Sequence, residues 1–276
     1  MEKGTHHGDG HTPDGLRRPN PHRMSPDPNR AVLVTGASGG IGRAIARRFA
    51  AAGDRVAVHY ASRKTDAEAT LAALEGSGHV LVQGDIADPA TAESVVAQAV
   101  TGLGALDVLV NNSAAITPHP LPETSYADWQ AAWQRIIGVN VIGAANLSHC
   151  AARHMIERGA AGRIVNIGSR GAYRGEPDMP AYGASKAALH SLGQSLAVSL
   201  APYGIGVASV APGFTATPRV EARLATDEGD TLRGQSPFGR VGTADEIASA
   251  VAYLASPEAV WASGAVLDVN GASHLR

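Results

Sequence analysis

From Ala31 onward, short apolar runs alternate with longer segments in which apolar residues return at every third or fourth position. A short apolar run bounded by turn residues reads as a buried strand, and a recurrence at three to four reads as a helix with one buried face. The runs predict strands at Ala31–Thr35, Arg55–Tyr60, His79–Gln83, Leu106–Val110, Gly162–Ile167, Gly206–Val210 and Ala265–Asp268. Between them, Ile41, Ala44, Ile45 and Phe49 share a helix face. Asp88-Pro89 is an N-cap followed by proline at the first helical position, opening a helix to about Gly102. Tyr126, Trp129, Trp133 and Ile137 form a stripe on a helix from Ser125 to Gly138, read as core and as a candidate subunit contact. That helix is expected to continue through Asn140 and Gly143 towards Arg158. A further helix spans Ala181–Leu200, and Thr243 with Glu246 forms a capping box for the last one. The stretch from Phe214 to about Gly242 is polar and without period, and is expected to be irregular. Strand alternates with helix throughout, with no internal repeat and no second core. The expected fold is therefore α/β, a Rossmann-type doubly wound parallel sheet in a single domain over 31–276.

Residues 1–30 break the pattern. They are rich in Pro, Gly, Asp and His and nearly lack aliphatic residues, so they cannot bury enough apolar surface to offset their ordering entropy. A mobile tail is expected there. Its His6, His7 and His11 bind metal adventitiously at most, and no metal site is expected in the chain. Met24 is a candidate natural start, which an intact mass including residues 1–23 would exclude. A net charge of −2 and 4% aromatic residues give no case for nucleic-acid binding. No apolar run is long enough to span a bilayer, and the N-terminus lacks a signal-peptide core. The single cysteine, Cys150, excludes an internal disulfide and fits a reducing compartment, so a cytoplasmic protein is expected. Its neighbours Leu147, Ala151 and Met155 place it at a buried helix position.

The first strand runs into Gly36-Ala-Ser-Gly-Gly40-Ile-Gly42 and then a helix. In that context Gly36 permits a tight turn, Gly40 lets a pyrophosphate approach the backbone, and Gly42 lets helix and strand pack closely. The helix N-terminus offers free N–H groups to the phosphates. At the end of the second strand an NAD-specific site would carry Asp or Glu, but the chain has Ser62, Arg63 and Lys64. A hydroxyl and two cations suit a 2′-phosphate, which favours NADP(H) over NAD(H). The alternative is that Arg63 and Lys64 open the next helix in solvent. Further on, Tyr182 and Lys186 stand four residues apart, one helical turn on one face. An ammonium beside a phenol favours the phenolate and lets the tyrosine exchange a proton near neutral pH. Of 23 basic residues only Lys3, Lys64 and Lys186 are lysines, which marks this ammonium out.

Together these motifs resemble the short-chain dehydrogenase/reductase family, single-domain type, and among its members the 3-oxoacyl-[acyl-carrier-protein] reductases. The resemblance covers about Ala31–Gly271. Thr35–Gly42 is similar to the family's cofactor turn, and Asn111-Asn112-Ser113-Ala114 to its Asn-Asn-Ala-Gly element with two small departures. Asn140, Ser169, Tyr182 and Lys186 match its four catalytic positions, and Pro212-Gly213 with Thr217 resembles the segment that holds the nicotinamide carboxamide. The resemblance implies that Ser169 donates to the reacting oxygen and Tyr182 exchanges a proton with it. It implies that Lys186 lowers the tyrosine pKa and bonds the nicotinamide ribose, and that Asn140 holds a relay water. It further implies cofactor contacts at Gly36, Ser38, Gly40, Ile41, Ser62, Arg63, Asp85, Ile86 and Asn112, with Asp85 and Ile86 flanking adenine. A homotetramer built on the helices around Ser125–Arg158 and Pro180–Tyr203 is implied as well.

The segments Arg170–Glu176 and Phe214–Arg240 are expected to shape the substrate pocket, the second as a mobile lid. Arg170, Arg174, Arg219 and Arg223 are candidates to attract an anionic substrate, or are ordinary solvated arginines. The expected function is NADPH-dependent reduction of a ketone or 3-oxoacyl carbonyl on a small molecule. The alternatives are NAD-dependent oxidation of a secondary alcohol or sugar, and dinucleotide sensing without turnover.

Overall fold

The computed structural model describes residues 29–276. Most of the expected tail, with His6, His7, His11 and Met24, lies outside the described residues, as does the side chain of Arg219. Arg30, read as tail, is tied to the domain: its guanidinium pairs with Asp54 at 2.7 Å and donates to the Ala255 carbonyl.

In chain order the elements are β1 (Ala31–Val34), α1 (Gly40–Ala51), β2 (Arg55–Tyr60), α2 (Lys64–Ala72), β3 (Val80–Gln83), α3 (Pro89–Leu103) and β4 (Val108–Asn111). There follow α4 (Tyr126–Ile137), α5 (Ala144–Glu157), β5 (Gly162–Ile167), α6 (Gly171–Arg174), α7 (Pro180–Leu200) and β6 (Ile205–Pro212). The chain closes with β7 (Thr215–Ala216), α8 (Pro218–Leu224), α9 (Glu228–Gly234), β8 (Gly242–Thr243), α10 (Ala244–Leu254) and β9 (Val266–Val269). Seven strands form one parallel sheet in the order β3-β2-β1-β4-β5-β6-β9. Side chains alternate across it, as strand geometry requires. Val32, Val34, Val56 and Val58 face a core closed by Ile45 and Phe49 of α1 and Ile247 and Val251 of α10. Ala31, Leu33 and Ala57 face the other core, closed by Val95 of α3, Leu147 and Met155 of α5, and Ala197 of α7. Both faces are covered, which explains why the strands read as continuous apolar runs. No helix among the described residues is long and apolar enough to cross a membrane.

Four sequence expectations change. The stretch after Phe214 is not irregular: Pro218 opens α8, and the short β7–β8 ladder holds the segment at its base. The helix expected to run through Asn140 does continue without a break to Glu157, but it widens into a π-helical turn at Gly138–Gly143 between α4 and α5. The residues of α4 that are buried are Ala132 and Ile136; Trp133 is half-buried and packs against them, Trp129 is half-buried and Tyr126 is exposed, so the aromatic stripe is only partly core. Cys150 is half-buried on α5, while Leu147, Ala151 and Met155 take the buried face.

Candidate active site

Strand order reverses between β1 and β4, and in a doubly wound sheet a ligand crevice opens there at the carboxyl ends of the strands. A cleft of about 1830 Å³ lies at that place. Its nearer half is backbone. Gly36 and Gly40, at φ +64° and +54°, occupy the left-handed region that favours glycine. A Cβ on Gly42 would stand 2.4 Å from the Gly36 carbonyl oxygen and 2.6 Å from Asn112 Nδ2, so only glycine lets α1 close on the turn. Gly39 at the head of α1 provides no side-chain cap, which leaves first-turn N–H groups facing the cleft. Buried Ser38 and half-buried Ile41 line this wall. The cradle fits a pyrophosphate.

Two side chains hold the cradle in shape. Asn112 Nδ2 donates to the Thr35 carbonyl at 2.8 Å, tying the end of β4 to the turn. His59, not singled out in the sequence, accepts from Gly36 N–H at 3.1 Å through Nδ1 and meets the Gly84 carbonyl at 2.9 Å through Nε2. Burial pushes its pKa down to about 4, so it stands neutral, with Nε2–H as donor. The available signal was its place at the end of β2, beside the glycine turn.

At the β2 terminus Ser62 and Arg63 line the cleft, and Arg63 Nη1 lies 3.5 Å from where a Cβ on Gly39 would be. Arg63 is 62% exposed and pairs with Asp66 at 3.3 Å. Lys64 does not join it: it pairs with Glu68 on the first turns of α2, 3.7 Å away, and is absent from the cleft wall. Arg43 takes the place of that second cation, lining the cleft while bonded to Thr70 Oγ1 at 2.8 Å and the Ser38 carbonyl at 2.9 Å. Its position on the helix after the turn hid it in the sequence. Asp85 and Ile86 line the opposite side. Burial raises the Asp85 pKa, but the 2.6 Å bond from Arg135 and the bond from Ala87 N–H outweigh it and hold the carboxyl below its ordinary value.

The farther half is built from β5, β6 and α7. Ser169, directly beyond β5, is buried, and its Oγ accepts from Gly171 N–H at 3.0 Å. Lys186 is 2% exposed, and its Nζ donates to the Ile167 carbonyl at 2.7 Å. Burial pushes its pKa down to about 8. The same Nζ lies 5.6 Å from the centroid of the half-buried Tyr182 ring. Ser169, Tyr182 and Lys186 all border the cleft. Asn140 does not. Its side chain accepts from Ala115 N–H at 2.7 Å and donates to the Ala115 carbonyl and to Ser185 Oγ. It clamps the loop after β4 to α7 from behind the wall. His119, also missed in the sequence, receives Ala181 N–H at Nε2, 3.1 Å away, and so caps the first turn of the helix that carries Tyr182. Pro212 accepts from Arg170 N–H at 3.1 Å, Gly213 packs against Asn270, and the Thr217 methyl packs against Gly40, 3.2 Å from where a Cβ there would stand.

A cradle for pyrophosphate joined to a serine, a tyrosine and a buried lysine can bind a dinucleotide and move a proton at a carbonyl oxygen. Comparison with known proteins agrees. Residues 36–274 match the family model described as enoyl-(acyl carrier protein) reductase. The chain is 36% identical to L-rhamnose 1-dehydrogenase (NAD(P)(+)) of Sphingomonas sp. (strain SKA58), over 89% of this chain and 96% of that protein. It is 38% identical to the 3-oxoacyl-[acyl-carrier-protein] reductase FabG of Escherichia coli (strain K12), over 89% and 98%. A crystal structure of a short chain dehydrogenase from Burkholderia cenocepacia J2315 in complex with NADP superposes with a TM-score of 0.80 at 35% identity, covering 88% of this chain and 97% of that one.

Proposed function

The chain belongs to the short-chain dehydrogenase/reductase family and is an NAD(P)-dependent oxidoreductase acting on a carbonyl or alcohol; from that premise we propose that it is an NADPH-dependent carbonyl reductase of a small soluble substrate. The observation that carries this reading is Lys186, a charged side chain sunk in the wall of the cleft one helical turn from Tyr182. A buried ammonium is costly to fold around, and its position beside a phenol gives that cost a chemical purpose.

When bound, the cofactor supplies the hydride that reduces the carbonyl carbon. The chain's own residues do the rest. The Gly36–Gly42 turn and the head of α1 hold the phosphates, and Arg63 and Arg43 provide cations for a 2′-phosphate, in line with NADP(H) rather than NAD(H). Ser62, Asp85 and Ile86 border the adenosine end, and Pro212, Gly213 and Thr217 the nicotinamide end. Ser169 Oγ already accepts from Gly171 N–H, which leaves its own hydrogen for the substrate oxygen. Tyr182 gives that oxygen a proton, and Lys186 biases the phenol towards release. Asn140 acts as a positioning residue: held by Ala115 and Ser185, it fixes α7 against the β4 loop, and the π-helical turn around it is the expected seat of a relay water. Assembly as a homotetramer in the cytoplasm belongs to the same proposal, and the partly exposed Trp129 and Trp133 of α4 are compatible with a subunit contact.

Tyr182→Phe tests the reading. It removes the proton and keeps the ring, so turnover of ketones should fall by about 10²–10⁴-fold. NADPH affinity, followed by quenching of tryptophan emission, should stay within about twofold of the wild type. Retained turnover would overturn the role of Tyr182. A reading as an NAD-dependent alcohol dehydrogenase would instead show tighter binding of NADH than NADPH in the same titration.

A further inference from the structure

Beyond Ser169 the cleft wall holds a cluster that the proton chemistry does not use. Arg170 is 5% exposed, and its Nη1 has no hydrogen-bond partner among the described residues. Its Nη2 donates to Gln235 Oε1, at the end of α9. The same amide oxygen also receives Arg174 Nη1 at 2.8 Å. Two guanidiniums therefore converge on one neutral acceptor, where like charges would ordinarily gather round a carboxylate. Burial, and then the Arg174 charge, push the Arg170 pKa below its ordinary value. The nearby acids do not resolve this. Glu228 is bound to Arg223 at 2.9 Å, and burial pushes the Glu176 carboxyl up despite the arginines beside it.

Geometry gives the unsatisfied cation a direction. Arg170 follows Ser169 directly, and its backbone N–H is fixed to the Pro212 carbonyl, so the cluster adjoins the place where the reacting oxygen binds. The Phe214 ring, part of the cleft wall, lies against Arg170 and Arg223, with guanidinium carbons 5.0 and 5.6 Å from its centroid.

We propose that the substrate is a carboxylic acid, an oxo or hydroxy acid whose carboxylate takes the position held by Gln235 Oε1 between Arg170 and Arg174. A planar guanidinium matches a carboxylate with two parallel bonds, which an amide oxygen cannot supply. Entry of the acid displaces the Gln235 side chain and satisfies the buried Nη1. This inference rests on the reading of the cleft as a dinucleotide and carbonyl site, since it places the acid beside Ser169.

The test is calorimetric titration of the full-length protein saturated with NADP+, using benzoate and its neutral isostere benzamide as probes. Benzoate should bind about tenfold or more tightly than benzamide, the difference expected of a charge-assisted bond. Arg174 is exposed and its removal leaves the core intact. Arg174→Gln should weaken benzoate by about tenfold and leave benzamide and NADP+ unchanged. Gln235→Glu puts a carboxylate of the protein's own between the arginines. It should raise the thermal midpoint while weakening benzoate more than Arg174→Gln does. Equal affinity for acid and amide, or benzoate binding indifferent to both substitutions, would overturn the proposal. Failure of NADP+ to bind while benzoate keeps its preference would overturn the dinucleotide reading and spare the acid site.

Discussion

Replacing Lys186 by methionine keeps the unbranched stem of the side chain and removes its terminal ammonium, and the structure says which way stability should move. Burial lowers the lysine pKa from 10.5 to about 8. At about 1.4 kcal/mol per unit, holding the ammonium in the folded protein costs about 3 kcal/mol at pH 7. The substitution also strips the Ile167 carbonyl of the donor that stands 2.7 Å away, a loss of about 1–2 kcal/mol. The variant should therefore be more stable than the wild type at pH 7 by about 1–2 kcal/mol, although it lacks the ammonium proposed to assist Tyr182. The sign with pH follows from linkage. Between the folded value of about 8 and the unfolded value of 10.5, the unfolded chain holds a proton that the folded chain has lost. Wild-type stability from this group therefore rises with pH across that window, and the penalty is fully present below it. Urea unfolding of the cofactor-free protein at pH 7 and pH 10 measures both ends. The advantage of Lys186→Met should shrink to zero or reverse at the higher pH. A variant less stable than the wild type at pH 7, or a difference that ignores pH, would show that the ammonium is not buried at a cost, and the argument from Lys186 would fail with it.

Two further substitutions probe the cofactor half, and a third serves as a control outside it. Arg63→Ala removes a cation poised over Gly39 and should weaken NADP+ by about ten- to a hundredfold while NAD+ changes by less than about twofold, read by fluorescence titration; equal losses would remove Arg63 from the 2′-phosphate. Gly42→Ala forces a Cβ to within 2.4 Å of the Gly36 carbonyl and should cost about 1–3 kcal/mol and abolish dinucleotide binding, whereas Gly234→Ala, with nothing within 4 Å, should leave the thermal midpoint level or higher.

What the sequence made legible, and what it hid, divides along the cleft. The sheet, its order of elements and the glycine turn could be read because backbone geometry dictates residue type there: strands covered on both faces must be apolar, and Gly36 and Gly42 have no tolerated substitute in place. Tyr182 and Lys186 could be read because one helical turn sets their spacing. Legibility ended where partners come from distant segments. Nothing local marks His119 as the cap of α7, 62 residues away, or His59 as the brace of the glycine turn, 23 residues away. Local sequence even misled at Lys64, which pairs with Glu68 one turn further along α2 and does not line the cleft beside Arg63. The substrate half is wholly of this second kind. Arg170 and Gln235 are 65 residues apart, and their meeting depends on α8 and α9 folding over the cleft where the sequence showed only a polar stretch. The cofactor end is built from main-chain N–H groups, which any chain with the right glycines presents alike. The substrate end is built from side chains on segments free to vary, so it is there that relatives with the same cradle can differ in what they reduce.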